Sequence, residues 1–280
     1  MEEMLVALTD AYSARDGGVP ITLVLKGTRT APPALADGSS VLAPMGAEMS
    51  DDELASYRRL RGNDPVEIRV AHDSLKHDSI SSPTGIFVNA ENPLRRISLD
   101  QLRHVFAASP TSSAISRWGQ LGLGGPWTNR PIDAAGLGPK TAIGRHLLRY
   151  VLRSDRYVDR FGDYPESREV AKIVGEDRNA IGLFNLSHGN CKVRALAIID
   201  DHNSISRGRR ADIAAGRYPL DRTLLVYARR EANGALEPFA RDFLRFMLSD
   251  EGQRIIGRGS KGYIPLNPAE RRVELAKLDP

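Results

Sequence analysis

The sequence predicts an α/β protein, and three observations lead to that class. Short apolar runs rich in β-branched residues recur at 21–25, 66–71, 86–89, 180–186 and 224–228, the pattern of buried strands. Stretches with apolar residues at helical spacing lie between them. The chain of 280 residues is 41% hydrophobic and 26% charged, an ordinary globular composition with enough core for one large domain or two. Strands alternate with helices throughout, with no internal repeat, low-complexity segment or evident linker.

In order, 4–14 places Met4, Leu5, Leu8 and Tyr12 on one helical face, and Asp16-Gly17-Gly18 stops it. The strand 21–25 follows. Thr30 is set to cap a short helix that opens through Pro32 and Pro33, since proline is tolerated in a first turn, and closes near Asp37-Gly38. A strand at 41–45 precedes a helix to Arg61, opened by a capping box of Ser50 and Glu53. Strands at 66–71 and 86–89 come next, then a helix over 98–106 with a serine cap. Residues 109–130 are loop-like, rich in Ser, Gly and Pro, with Trp118 and Trp127. After a turn at 136–141, helices are expected at 141–153 and 167–174, and strands at 180–186, 193–199 and 224–228. A long helix over 236–256, broken near 249–252, and a closing segment at 263–266 complete the reading.

The stretch Lys-Gly-Thr-Arg-Thr-Ala-Pro-Pro-Ala-Leu (26–35) stands out as a strand–turn–helix junction. A helix start offers unpaired N–H groups and the positive end of the macrodipole, which suits an anion. Two prolines remove two of those donors, so the hydroxyls of Thr28 and Thr30 gain weight. A capped junction without any ligand remains the simpler reading of these residues taken alone. Net charge is +4 with a pI near 9.3, which suits an anionic ligand but is too small and dispersed for nucleic acid.

Other constellations resolve to unremarkable roles. Cys191 is the only cysteine, so no internal disulfide can form. His72-Asp73 and His77-Asp78 put their histidines on opposite faces of an extended stretch, and the other histidines lack ligand spacing, so no metal site is expected. There is no Gly-x-Ser-x-Gly elbow, no acid pair placed for glycoside chemistry, and no P-loop lysine after Gly122–Gly125. Neither an enzyme nor a cofactor is expected. The cluster Arg207–Arg210 reads as solvated charge. No run approaches the roughly 18 apolar residues of a membrane span. The start Met-Glu-Glu-Met shows no signal peptide, which by itself reads as cytoplasmic.

Three segments in the last third carry a family resemblance: Gly-Arg-Tyr-Pro-Leu-Asp-Arg-Thr-Leu (216–224), Phe-Leu-Arg-Phe-Met-Leu-Ser-Asp-Glu-Gly-Gln (243–253) and Gly-Tyr-Ile-Pro-Leu (262–266). With the 27–35 turn, Asn-Ala-Glu-Asn-Pro-Leu (89–94) and the helix 99–106 before a Trp-containing loop, their order and spacing resemble the phosphate-binding proteins of ABC transporters over nearly the whole chain. The resemblance implies a type II periplasmic binding protein fold, two α/β lobes joined by two crossing segments with the ligand held between them. It implies a discontinuous first lobe, 1–72 with 229–280, and a second lobe, 73–228, with crossings near 71–73 and 228–230. Thr28, Arg29 and Thr30 would form one wall of the site, and Lys140, Thr141 and Arg145 the other. The implied ligand is inorganic phosphate or a similar oxyanion, the implied partner a membrane permease, the implied location periplasmic, and the protein a monomer.

This sequence also departs from the family. Relatives carry a first strand and a Gly-Ser-x-Thr turn ahead of the first helix, whereas this chain starts in that helix, which reads as a truncated start. Leu137 and then Thr141-Ala142-Ile143 stand where relatives have an arginine and then Ser-Gly-Thr, and Met45-Gly46-Ala47 lacks their serine and charged residue. A hydrogen bond to a charged group contributes about 1.5–3 kcal/mol, so several losses would weaken a site greatly. A second expectation therefore stands beside the first: a degenerate two-lobe member acting as a sensor or structural partner without phosphate.

Overall fold

A computed structural model describes residues 1–15, 19–77, 79–108, 114–231 and 234–279. Helix α1 (Glu2–Ser13) buries Met4, Leu5, Leu8 and Tyr12, as its spacing predicts; the stop at 16–18 lies outside the described residues. Residues 21–25 are not a strand. They run as irregular backbone without a backbone hydrogen bond among the described residues, and Thr22, Val24 and Leu25 are exposed. β-branched composition favours a strand only where a neighbour is present to pair with it.

Helix α2 (Ala31–Asp37) and strand β1 (Leu42–Met45) follow. Helix α3 (Asp51–Arg61) opens on the expected capping box: Ser50 Oγ accepts the Glu53 N–H at 3.3 Å and the Glu53 carboxylate accepts the Ser50 N–H at 2.7 Å. Strands β2 (Val66–His72), β3 (Thr84–Asn89) and β4 (Arg96–Ser98) lead to α4 (Leu99–Phe106), capped likewise by Ser98 and Gln101. Of the loop 109–130, the described part holds two single helical turns, Trp118–Leu121 and Gly125–Trp127.

Strand β5 (Asp133–Leu137) runs into α5 (Ala142–His146), which continues as a π-helical turn through Leu147–Leu152 and ends where Arg153 takes φ 53°. Then come β6 (Gly162–Tyr164), α6 (Ser167–Glu176) and β7 (Ala180–Asn185). The run 193–199 is two strands rather than one, β8 (Val193–Ala195) and β9 (Ala197–Ile199). Leu196 N–H bonds the Ile86 carbonyl at 2.8 Å, and there the chain passes from one sheet to another. The rest is β10 (Ile205–Ser206), α7 (Arg210–Ala214), β11 (Thr223–Ala228), α8 (Pro238–Leu248), α9 (Asp250–Arg258) and α10 (Pro268–Ala276). Ser249 makes the expected break, its Oγ accepting the Gly252 N–H to start α9. Among the described residues the closing segment pairs at one point, Ile264 with His72.

Two compact units result, Met1–Ser74 with Thr223–Pro280, and Leu75–Arg222. The division falls between Arg222 and Thr223 rather than near 228–230, because β11 is the middle strand of the first unit's sheet, antiparallel to both β1 and β2. Register sorts β11 by alternation. Leu224, Val226 and Ala228 face a core with Val66, Ile68 and the α1 and α8 side chains, while Leu225 and Tyr227 face Leu35, Met45 and Tyr57. The second unit is built on a five-stranded sheet of order β6-β5-β7-β3-β8, with β4, β9 and β10 in a small sheet of their own. Val170, Ala171 and Val174 of α6 pack on it against Phe87, Ala135, Leu137 and Phe184.

Candidate functional site

Each unit presents one of the two turns singled out in the sequence. In the first unit, Gly27 takes φ 92°, a left-handed value that glycine adopts without strain, and Thr28–Thr30 form a single helical turn ahead of α2. Thr28, Arg29 and Thr30 are all exposed. Thr30 sits at the cap position but does not cap. Pro32 and Pro33 have no N–H for its oxygen to accept, so its hydroxyl turns back and donates to the Gly27 carbonyl at 2.9 Å. The Thr28 hydroxyl and the N–H groups of Thr28 and Arg29 have no partner among the described residues. These donors, with the exposed side chains of Lys26 and Arg29, are what the turn offers an anion.

In the second unit the turn between β5 and α5 is held far more tightly. Thr141, at the head of the expected helix, caps α5: its Oγ1 accepts the Gly144 N–H at 2.9 Å and donates to the Gly138 carbonyl at 2.8 Å. Its one hydroxyl proton is thereby used, so Thr141 cannot donate to a ligand without releasing Gly138. The donors left open are the N–H groups of Ala142 and Ile143, unpartnered among the described residues. Arg145 Nη1 donates to the Lys140 carbonyl at 3.0 Å, which fixes the turn and leaves both cations exposed.

Three residues outside the sequence reading shape this turn. A Cβ on Gly144 would fall 2.0 Å from the Gly138 carbonyl oxygen, so only glycine lets the helix approach β5 this closely. The Tyr157 hydroxyl donates to the carbonyls of Gly144 at 3.1 Å and Leu137 at 3.3 Å, tying helix to strand. Burial, with Asp163 adding to it, pushes that phenol well above its ordinary value, so it stays a donor at any ordinary pH. Asp163 itself is exposed on β6, with its carboxylate packed over Gly138, where a Cβ would lie 1.8 Å from Oδ1. Gly144, inside a stretch of helical spacing, was the signal in the sequence: an interior glycine costs helix stability unless close packing needs it. Nothing local marks Tyr157 or Asp163.

Among the described residues, no group of three or more His, Cys, Asp or Glu side chains could hold a metal, and no helix is long and apolar enough to cross a membrane. Leu137 is buried in the core of the second unit.

The family model for the PBP superfamily domain matches residues 1–251. The phosphate-binding protein PstS of Pseudomonas aeruginosa is 27% identical over 270 residues, covering 95% of this chain and 80% of the relative. Among solved structures, PstS from Borrelia burgdorferi shares the fold with a TM-score of 0.61 at 15% identity, over 94% of each chain. An ABC-type phosphate transport receptor from Vibrio cholerae does so with a TM-score of 0.60 at 16% identity, over 93% of this chain and 94% of that one.

Proposed function

This chain belongs to the PBP superfamily, and we propose that it serves as the solute-binding protein of a phosphate-type ABC transporter. It captures inorganic phosphate or a similar oxyanion without catalysis, works outside the cytoplasmic membrane as a monomer, and delivers the ion to a permease. The observation that supports this reading best is the pair of turns, each with two open backbone N–H groups and exposed cations, in a chain that resembles a phosphate-binding protein over 95% of its own length. The first unit's turn offers an anion the N–H groups of Thr28 and Arg29, the Thr28 hydroxyl and the Arg29 charge, and the second unit's turn offers the N–H groups of Ala142 and Ile143 with the charges of Lys140 and Arg145. Thr30 and Thr141 act by shaping the turns.

Selection against sulfate needs an acceptor, because phosphate at neutral pH keeps a proton and sulfate has none. Asp163 is the carboxylate placed against the 138–145 turn, and we assign it that part. The test is isothermal titration at low salt. We expect saturable one-to-one binding of phosphate at micromolar affinity or tighter, with sulfate weaker. Thr28→Val should cost about 10-fold, one hydrogen bond to a charged group. Asp163→Asn should bring phosphate and sulfate closer together. No heat with either anion, from a protein shown to be folded by circular dichroism, would overturn the transport reading and favour a family member that works through protein contacts.

A further inference from the structure

The arginine cluster that reads as solvated charge in the sequence takes on a different character in the structure. Residues 203–219 of the second unit hold four arginines, Arg207, Arg209, Arg210 and Arg217, against one acid, Asp212. All four arginines are exposed. The acid is used inside the loop: Asp212 Oδ2 accepts the N–H groups of Arg207 at 3.0 Å and Arg209 at 3.3 Å, and its Oδ1 accepts Arg217 Nη2 at 3.4 Å. Gly208 takes φ 66° and packs so closely that a Cβ would fall 2.6 Å from the Leu186 side chain and 2.9 Å from that of Tyr218. The loop is therefore pinned through its backbone, while Arg207, Arg209 and Arg210 form no ion pair among the described residues. Two isoleucines stand in water beside it. Ile205, two residues ahead of Arg207, is 54% exposed, and Ile80 is 89% exposed. Ile80 flanks the same end of β7 as the loop: its carbonyl accepts Asn185 Nδ2 at 3.2 Å, and the next residue, Leu186, is the one that Gly208 packs against. We propose that this patch docks the protein on an anionic phospholipid membrane, with the guanidiniums of Arg207, Arg209 and Arg210 on headgroup phosphates and Ile80 and Ile205 among the acyl chains.

Both halves of the patch select this partner. The arginines alone would suit any polyanion. Proteins that track single-stranded nucleic acid add aromatic platforms for the bases. The only aromatic residue in 203–219 is Tyr218, which is buried with its hydroxyl donating to the Thr84 carbonyl at 2.7 Å. An acidic protein surface would pair with the charges but leave the isoleucines without cover. A bilayer offers both layers at once, anionic phosphates at the surface and hydrocarbon directly beneath. Guanidinium also matches a phosphate oxygen pair in two parallel hydrogen bonds, which a lysine cannot do. Because Asp212 and Gly208 already fix the loop backbone, docking orders little beyond the side chains themselves. The patch shares no residue with the turns at 27–30 and 138–145, so this inference stands apart from the phosphate reading.

The test is flotation of the protein with vesicles of phosphatidylcholine alone and of equal parts phosphatidylcholine and phosphatidylglycerol. We expect partitioning onto the anionic vesicles only, weakening as salt rises and unchanged by inorganic phosphate at fixed ionic strength. The combined variant Arg207→Gln, Arg209→Gln, Arg210→Gln should lower it about 100-fold, at about fivefold for each arginine near a charged membrane. It should keep the wild-type circular dichroism and Tm, since Asp212 binds backbone N–H groups of the loop. Arg59→Gln, Lys172→Gln and Arg272→Gln together remove the same charge from exposed positions elsewhere and should cost less than about threefold. Ile80→Ser and Ile205→Ser should each cost about 10-fold, the effect of returning one isoleucine to water. No partitioning of the wild type onto anionic vesicles would overturn the proposal. Equal losses from the two triple variants would overturn it too, because net charge rather than this patch would then be the attraction. Unchanged partitioning of both isoleucine variants would overturn the membrane as partner and favour an acidic protein surface.

Discussion

The turns at 27–30 and 138–145 are the same device built to different tolerances. Both end an apolar run, both lead into a helix start, and both leave two backbone N–H groups open. The second is locked by a threonine cap, by the Tyr157 hydroxyl on two carbonyls, and by a helix packed so closely that Gly144 touches Gly138. The first has one internal hydroxyl bond, exposed side chains and, beside it, the irregular segment 21–25. Preorganised donors need no rearrangement when an anion arrives, whereas a loose turn loses conformational freedom on binding. An anion should therefore cost the second turn less conformational freedom than the first.

Gly144→Ala should produce the largest effect and break the comparison from its rigid side. The added Cβ would meet the backbone oxygens of Gly138 at 2.0 Å and Leu137 at 2.5 Å, and neither can swing aside as a side chain could. We expect a loss of about 3 kcal/mol, the upper end for overpacking, read by chemical denaturation. Gly27→Ala is the matched control: it meets no atom within 4 Å and carries only the cost of φ 92°, about 1–2 kcal/mol. Equal losses would mean that the two turns are equally tight.

Tyr157→Phe comes next, at about 1–2 kcal/mol, because it leaves two buried carbonyls without their shared donor. The sign with pH follows from the raised phenol. A folded-state value above the ordinary 10 means that its contribution is fully present below pH 10 and is lost only as pH rises beyond it. The difference between wild type and Tyr157→Phe in denaturation midpoints should therefore stay flat from pH 6 to 9. Thr141→Val follows at about 1 kcal/mol, the usual worth of a threonine cap, and should weaken phosphate binding by disturbing Ala142 and Ile143 rather than by removing a direct contact.

How much of this was legible in the sequence depended on whether a feature was local. The capping box at Ser50–Glu53, the serine cap at Ser98 and the break at Ser249 are short-range chemistry and could be read directly. The apolar run at 21–25 could not be judged that way, because a strand exists only with its partner, and pairing is a property of the sheet. The split of 193–199 into β8 and β9 failed for the same reason, as its cause is a bond from Leu196 to Ile86 more than a hundred residues away. At the site, the cap position of Thr30 and the helix start at Thr141 were visible while the use of their hydroxyl protons was not. The hydroxyls of Thr30 and Thr141 looked like ligand donors, but a hydroxyl has one proton, and the turn carbonyls of Gly27 and Gly138 take both.

Thr30→Val should have the smallest effect on stability and is the sharpest probe of the loose turn. The bond it removes, Thr30 Oγ1 to the Gly27 carbonyl, is exposed, and water can replace the donor at once, so we expect less than about 0.5 kcal/mol in denaturation. Its effect on phosphate binding separates two mechanisms that the threonine could serve. If Thr30 only shapes the turn, the Thr28 and Arg29 N–H groups stay available and affinity falls less than threefold, while Thr28→Val still costs about 10-fold. If Thr30 releases Gly27 and donates to the ion when it arrives, the two substitutions cost the same. Titrating both variants against phosphate in one buffer decides whether the first turn closes by rearranging its hydroxyls or by backbone alone.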